Sequence, residues 1–263
     1  MLEIPDALFH ADGDRFIPTE LTRGPWDQNA MHGGAPAALL ARAIERFEPG
    51  PASHIARLTI ELLRPVPLTP LTVTTRMVRP GKKVQLVEAS LSDGEREVVR
   101  ATGLRLRVAP VDLPPGAAPD YAVPAEGAMV PRERDEDDGP IGFGDAVDFR
   151  AVRGWPEQRG PGACWFRLHV PTVAGEENSP LLRVAAAADF GNGISSPLGW
   201  DEGWTFINPD LTIYLHRLPK GEWVGLDALT VPEAEGVGVA ESVLFDEQGR
   251  IGRAVQSLLL DRR

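Results

Sequence analysis

The stretch LTIELLR, Leu58 to Arg64, returns almost unchanged as LTIYLHR, Leu211 to Arg217. The two copies stand 153 residues apart, and sliding the chain by that offset aligns residues 58–101 with 211–254 without a gap. Twelve of those forty-four positions are identical: Leu58, Thr59, Ile60, Leu62, Arg64, Val78, Val84, Glu88, Leu91, Asp93, Arg100 and Ala101. Chance at ordinary composition gives about two or three. The charged matches at Arg64, Glu88, Asp93 and Arg100 separate this register from the general likeness of Val- and Leu-rich strands. The chain therefore carries two copies of one structural unit.

Each copy reads as strands. Leu58, Ile60 and Leu62 alternate with Thr59, Glu61 and Leu63, the period of a strand, and Pro65 and Pro67 end it. Strands are expected over Leu71 to Val78, Val84 to Leu91 and Val98 to Val108, with turns at Pro80-Gly81 and Asp93-Gly94. The second copy repeats them over Val224 to Thr230, Val237 to Phe245 and Ile251 to Asp261. Short turns between successive strands make an antiparallel meander. Each meander follows a helical stretch rich in small and apolar residues. The first is Ala35 to Phe47, with Leu40, Ala43, Ile44 and Phe47 at helical spacing. The second is Pro180 to Phe190, with Pro180 suited to its first turn and Gly191 and Gly193 to its end.

Between the copies lies a segment rich in Pro, Gly and charge, residues 109–141, which reads as a linker draped over the surface. Its run Arg132 to Asp138 reads as solvated. The expected organisation is a first unit at 1–108, the linker at 109–141 and a second unit at 142–263. The class is α+β: two helix-wrapped antiparallel sheets joined side by side, which removes two exposed sheet edges. Outer strands still remain, so a homodimer or higher homo-oligomer is expected.

Composition narrows the function. The formal charge of −11 disfavours nucleic acid and anionic membrane as partners. Apolar runs are too short to cross a bilayer, and the N-terminus has no basic and apolar leader pattern. A single cysteine, Cys164, excludes an intrachain disulfide. Together these point to a cytoplasmic protein. The five histidines are scattered, so no metal is expected.

Several motifs sharpen the picture. GPWDQNAMHGGAPAALLARAIE resembles the approach to the central helix of hotdog thioesterases, and ELLRPVPLTPLTV resembles the strand and turn that follow in the acyl-CoA thioesterase II family. In the second half, AAAADFGN, TFINPDLTIYLHR and RAVQSLLLD resemble that family's active-site half. The resemblance covers most of residues 15–108 and 163–263, and it implies a double hotdog fold. It also implies hydrolysis of acyl-CoA without a covalent intermediate and without a cofactor, coenzyme A being part of the substrate. Carried over by position, the catalytic Asp, hydroxyl residue and Gln fall on Asp189, Asn208 and Gln256. Asn208 departs from the pattern: an amide binds water or a carbonyl but cannot act as a hydroxyl.

The repeat tests these residues internally. Gln256 corresponds to Gly103 and Asn208 to Ile55; matching Phe190 with Phe47 pairs Asp189 with Arg46. The first half lacks all three polar groups, which points to one working centre assembled mainly from the second half. Strand parity turns Asn208 toward the core only if Pro209 breaks the strand.

His32-Gly33-Gly34, with Asn29 before it, resembles the HGG motif of phenylacetyl-CoA-type hotdog enzymes. There a backbone N–H at the helix start polarises the thioester carbonyl. The acid those enzymes place nine residues later is Ala41 here, so a first-half site of that type lacks its base. Close packing of helix against sheet is the structural role expected of Gly33 and Gly34. Trp26, Trp155, Trp200 and Trp204 are candidates for the wall of an acyl pocket. Arg64, Arg217, Lys82 and Lys83 are candidates for the coenzyme phosphates.

Three functions remain open. One is acyl-CoA hydrolysis, with water activated by Asp189. The second is acyl-thioester binding without turnover. The third is hydration of an enoyl thioester, which needs an Asp and a His together near a helix start, a pair absent from the second half.

Overall fold

The computed structural model describes residues 4–48, 52–94, 96–117, 122–131 and 139–262. The Arg132 to Asp138 run lies outside them. The first half runs β1 (Phe9–Asp12), β2 (Arg15–Pro18), α1 (Gly34–Arg46), β3 (Ser53–Leu62), β4 (Leu71–Arg79), β5 (Val84–Ser92) and β6 (Glu97–Arg107). The second runs β7 (Ala128–Met129), β8 (Val147–Arg153), β9 (Gly162–Leu168), α2 (Pro180–Ala188), α3 (Gly191–Ser195), β10 (Trp204–Ile207), β11 (Asp210–Leu215), β12 (Val224–Pro232), β13 (Val237–Asp246) and β14 (Gly249–Arg262).

Among the described residues, the strands form one 14-stranded sheet in the order β1-β2-β4-β5-β6-β3-β11-β14-β13-β12-β9-β8-β7, with β10 beside β14. Read outward from the β3–β11 seam, six strands on each side follow the same order, and the second side adds β7 beyond β8. The 153 offset carries the ladder as well as the letters. Thr72 faces Ser92 and Glu88 faces Thr102 in the first half; Gly225 faces Phe245 and Glu241 faces Val255 in the second. At the seam the repeated segment pairs antiparallel with its own copy. Leu211 faces Ile60, Thr212 faces Thr59 and Ile213 faces Leu58. Because Thr59 and Thr212 are equivalent, the seam lies on a pseudo-twofold axis.

α1 and α2 pack against each other beneath the sheet. Leu39, Leu40 and Ile44 of α1 and Leu181, Leu182 and Val184 of α2 are buried in one continuous core with strand residues of both halves. Alanines on the facing helices, Ala37, Ala38, Ala185 and Ala186 among them, allow this close approach. The Ser179 side chain accepts from Leu182 N–H and caps α2, with Pro180 in its first turn. Arg105 reaches from β6 to the carbonyls of Ile44 and Phe47 and closes the C-terminal end of α1.

Two local expectations change. The second helix stops at Ala188 with Asp189 as its C-cap, and Gly191 and Gly193 belong to the short helix α3 that follows. Without a side chain, Gly191 lets α3 approach Ser242 and Gln256, whose atoms lie 2.9 and 3.1 Å from where its Cβ would be. The segment 109–141 is also more than a surface drape. Ala128–Met129 forms β7 on β8, the Ala125 carbonyl accepts from the Trp165 indole N–H at 2.8 Å, and Ile141 is buried. These contacts fall where apolar residues interrupt the Pro- and Gly-rich run.

Candidate active site

Asp189, Asn208 and Gln256 converge. Asp189 Oδ1 accepts from Asn208 Nδ2 at 2.7 Å and from Gln256 Nε2 at 3.0 Å. Gln256 lies on the inward face of β14 with Ala254, Leu258 and Leu260, all buried. Its Oε1 in turn accepts from Asn192 N–H at 3.4 Å. Both ends of its amide are therefore engaged, as a buried amide requires. Asn208 reaches inward because the strand breaks. Ile207 faces Leu259 and Thr212 faces Val255, so five steps on one strand oppose four on the other. This bulge at Asn208-Pro209 turns the amide toward the helix end, the re-aiming typical of bulges near functional sites.

The first half fills the equivalent space differently. A Cβ on Gly103 would collide with Ile44. In the second half Gln256 replaces that glycine, and Ala187 replaces Ile44 by the Phe47–Phe190 match. The volume given up by the helix is what lets the glutamine reach Asp189. Ile55, equivalent to Asn208, is part of the core.

The structure also brings in a group from the first half. His32, just before α1, places Nδ1 3.0 Å from Asp189 Oδ2; the side chains are 8% and 2% exposed. His32 thus adds a first-half group to a cluster whose other three residues come from the second half. An Asp–His pair does form near a helix start, across the halves. It escapes a search confined to either one.

Gly33 and Gly34 make this approach possible. A Cβ on Gly33 would lie 2.8 Å from Asp189 Oδ2, and one on Gly34 would lie 2.7 Å from both the Ala186 carbonyl oxygen and Phe143. Their close packing is against α2 and Phe143, not against the sheet. Ala41 lies wholly within the core.

Electrostatics follow from the geometry. Burial pushes the Asp189 carboxyl up, but the neighbouring His32 charge and hydrogen bonds from His32, Asn208 and the Gly34 N–H outweigh it, and its pKa is lowered. The carboxylate stands at the negative end of its own helix and faces the positive end of α1. Gly34 N–H also lies 3.1 Å from His32 Nδ1. A buried carboxylate and an imidazole lone pair would repel at 3.0 Å, so the proton is on Nδ1 and the Gly34 N–H serves the carboxylate.

Asp189, Asn208, Gln256 and His32 line a cavity of about 600 Å³. Aromatic rings share its remaining wall with glycines and polar residues, Phe143, Phe149 and Phe190 among them. Trp26, Trp155 and Trp200 line it too, with the Trp26 and Trp200 rings stacked 6.1 Å apart. Trp204 is not in this wall: it lies on β10 beneath the Arg262 guanidinium, 4.2 Å from its ring centre. Asn29 is exposed, and its backbone N–H bonds to Asp27 Oδ1 in a tight turn. Arg217 is held by the fully buried Asp246, with Nη2 2.7 Å from Oδ1. Arg64, Lys82 and Lys83 are exposed and lie outside the cavity wall.

The acyl-CoA thioesterase N-terminal domain family matches residues 22–106, and the acyl-CoA thioesterase C-terminal domain family matches residues 120–260. No curated protein matches by sequence. Among solved structures, a thioesterase II candidate from Thermobifida fusca YX is 19% identical, with TM-score 0.73, covering 98% of this chain and 96% of that one. An acyl-CoA thioesterase II from Mycobacterium marinum is 16% identical, TM-score 0.66, covering 93% and 96%. A hot-dog-fold protein of unknown function from Alicyclobacillus acidocaldarius is 14% identical, TM-score 0.68, covering 98% and 97%. These likenesses establish the hotdog fold. Among the described residues, no helix is long and apolar enough to cross a membrane.

Proposed function

The chain belongs to the acyl-CoA thioesterase family, and on that premise we propose that it hydrolyses acyl-CoA to the free acid and coenzyme A at the centre built on Asp189, without a covalent intermediate. The observation that carries this reading is a buried carboxylate on the cavity wall, fixed by Asn208, Gln256 and His32. A water beside it is oriented for attack on the thioester carbon, and the loss of a proton to the site makes it nucleophilic. Asn208 acts by holding the carboxylate with its side-chain N–H group, which donates to Asp189 Oδ1. A backbone N–H at the start of α1 is assigned to the developing oxyanion. The acyl group lies along the aromatic wall, with Trp26 and Trp200 toward the coenzyme.

Thiol release from a panel of acyl-CoA esters tests this reading. Steady release supports hydrolysis; tight binding without release supports the non-catalytic alternative. The Asp189–His32 pair favours one further reading, hydration of an enoyl-CoA, since it supplies an acid and a base at one point. Loss of the conjugated enoyl-thioester absorbance without thiol release would select it.

A further inference from the structure

We propose that His32 is the proton acceptor for the attacking water, with Asp189 as its positioning partner, so that the reacting base comes from the first half and its support from the second. This rests on the hydrolase reading above. Three observations carry it.

The first is the fixed tautomer. Nδ1 stands 3.0 Å from Asp189 Oδ2 and 3.1 Å from the Gly34 N–H; the buried carboxylate selects the tautomer with the proton on Nδ1, which leaves the lone pair of the neutral ring on Nε2. The second is the state of Nε2. It makes no hydrogen bond to a described residue, yet it is not among the buried polar atoms left unpaired; the ring lines the cavity, so Nε2 opens onto it. The third is rigidity. The imidazole lies between Phe143 and Phe190, each 4.7 Å away centre to centre, with Trp26 at 5.4 Å. Such packing holds the ring in one orientation.

Asp189 is the poorer base of the two. One of its oxygens takes two amide N–H groups and the other takes His32.

The step balances. Water oxygen forms the new bond to the thioester carbon while one water proton passes to Nε2. Collapse of the tetrahedral adduct breaks the C–S bond, the bonding pair leaves with sulfur, and the proton on Nε2 passes to the thiolate. Acid and thiol are released and the imidazole is neutral again.

The test uses kcat and KM of the full chain with an acyl-CoA that the wild type turns over, across pH. The titratable group facing His32 is Asp189; Arg23 and Asp145 line the same cavity, and the groups packed on the ring are aromatic. His32→Gln is expected to lower kcat by about 10²–10⁴-fold with KM changed only a few-fold, and to lose the one-proton acid limb of kcat/KM. His32→Ala should regain part of its turnover on addition of imidazole. If His32→Gln keeps the acid limb and turnover within a few-fold of wild type, the inference is overturned while hydrolysis stands. It is overturned equally if folded His32→Ala loses turnover that imidazole does not restore. Absence of thiol release from the wild type overturns the hydrolase reading, and this inference with it.

Discussion

His32 Nδ1 stands 3.0 Å from Asp189 Oδ2, although the two residues belong to opposite halves of the chain. That contact depends on three features at once. α1 and α2 must cross closely, the position after His32 must carry no side chain, and α2 must end at Asp189. Disturbing any one of them should be felt in the chemistry.

Replacing Asp189 by Asn keeps shape and removes charge. Thiol release is expected to fall about 10²–10⁴-fold, with binding of a non-hydrolysable acyl-CoA analogue largely retained. Stability should respond to pH in a defined sense. The carboxyl has a folded pKa below its ordinary 3.8, so its stabilising contribution is full above that value and is lost as pH falls through the folded value. The melting-temperature gap between wild type and Asp189→Asn should therefore be widest near neutrality and narrow below about pH 4. A gap independent of pH would contradict an ionised, partnered Asp189.

Gly33→Ala drives a methyl group against the Asp189 carboxylate, 2.8 Å from Oδ2. Overpacking of this kind costs about 1–3 kcal/mol, and turnover should drop because the carboxylate is displaced. Gly193→Ala is the control: nothing lies within 4 Å of its Cβ position, and because the position is helical its melting temperature should be no lower than wild type. Equal melting temperatures for the two variants would refute the packing argument.

Asn208→Thr supplies the hydroxyl of the related enzymes but removes the N–H group 2.7 Å from Asp189. Turnover should fall, not rise, and Gln256→Ala should behave alike. Each loses a hydrogen bond to a charged group, about 1.5–3 kcal/mol, visible by chemical denaturation. An Asn208→Thr variant more active than wild type would sink this account of the departure.

Self-association is predicted on the outer face of the sheet. The outermost strands β1 and β7 are short, four and two residues, so edge pairing gives little drive. Leu229, Val231, Val237, Val239 and Leu259 are each more than a third exposed. Val231 faces Val239 and Val237 faces Leu259 on neighbouring strands, making an apolar patch of the kind that marks contact sites. Light scattering should give the mass of a dimer for wild type and of one chain for Val239→Glu. A wild-type mass of one chain at micromolar concentration counts against it.

Much of the fold was readable because strand periodicity is local and the offset is rigid. A register that aligns letters also aligns ladders, so Thr72–Ser92 implies Gly225–Phe245. Asp189, Asn208 and Gln256 were readable through motif position, and Asn208 through the parity break at Pro209. His32 was found as part of a motif but not joined to Asp189. That contact is set by how two helices cross, and helix crossing leaves no period in either segment. A usable signal was present: Gly33-Gly34 and the alanines before Asp189 both announce close backbone approach. β7 and the buried part of 109–141 were missed because isolated apolar residues in a Pro-rich run show no period.

The seam where Thr59 meets Thr212 has a consequence for how such a site can arise. A strand that pairs with its own copy would suit two separate identical chains as well as two halves of one. In such an assembly every substitution is inherited twice, and a glutamine at one centre appears at the other. Joining the copies in tandem lifts that constraint. One half can then keep Gly103 and Ile44 as packing while the other gains Gln256 and Asp189. The first half, freed from carrying a carboxylate, contributes the imidazole.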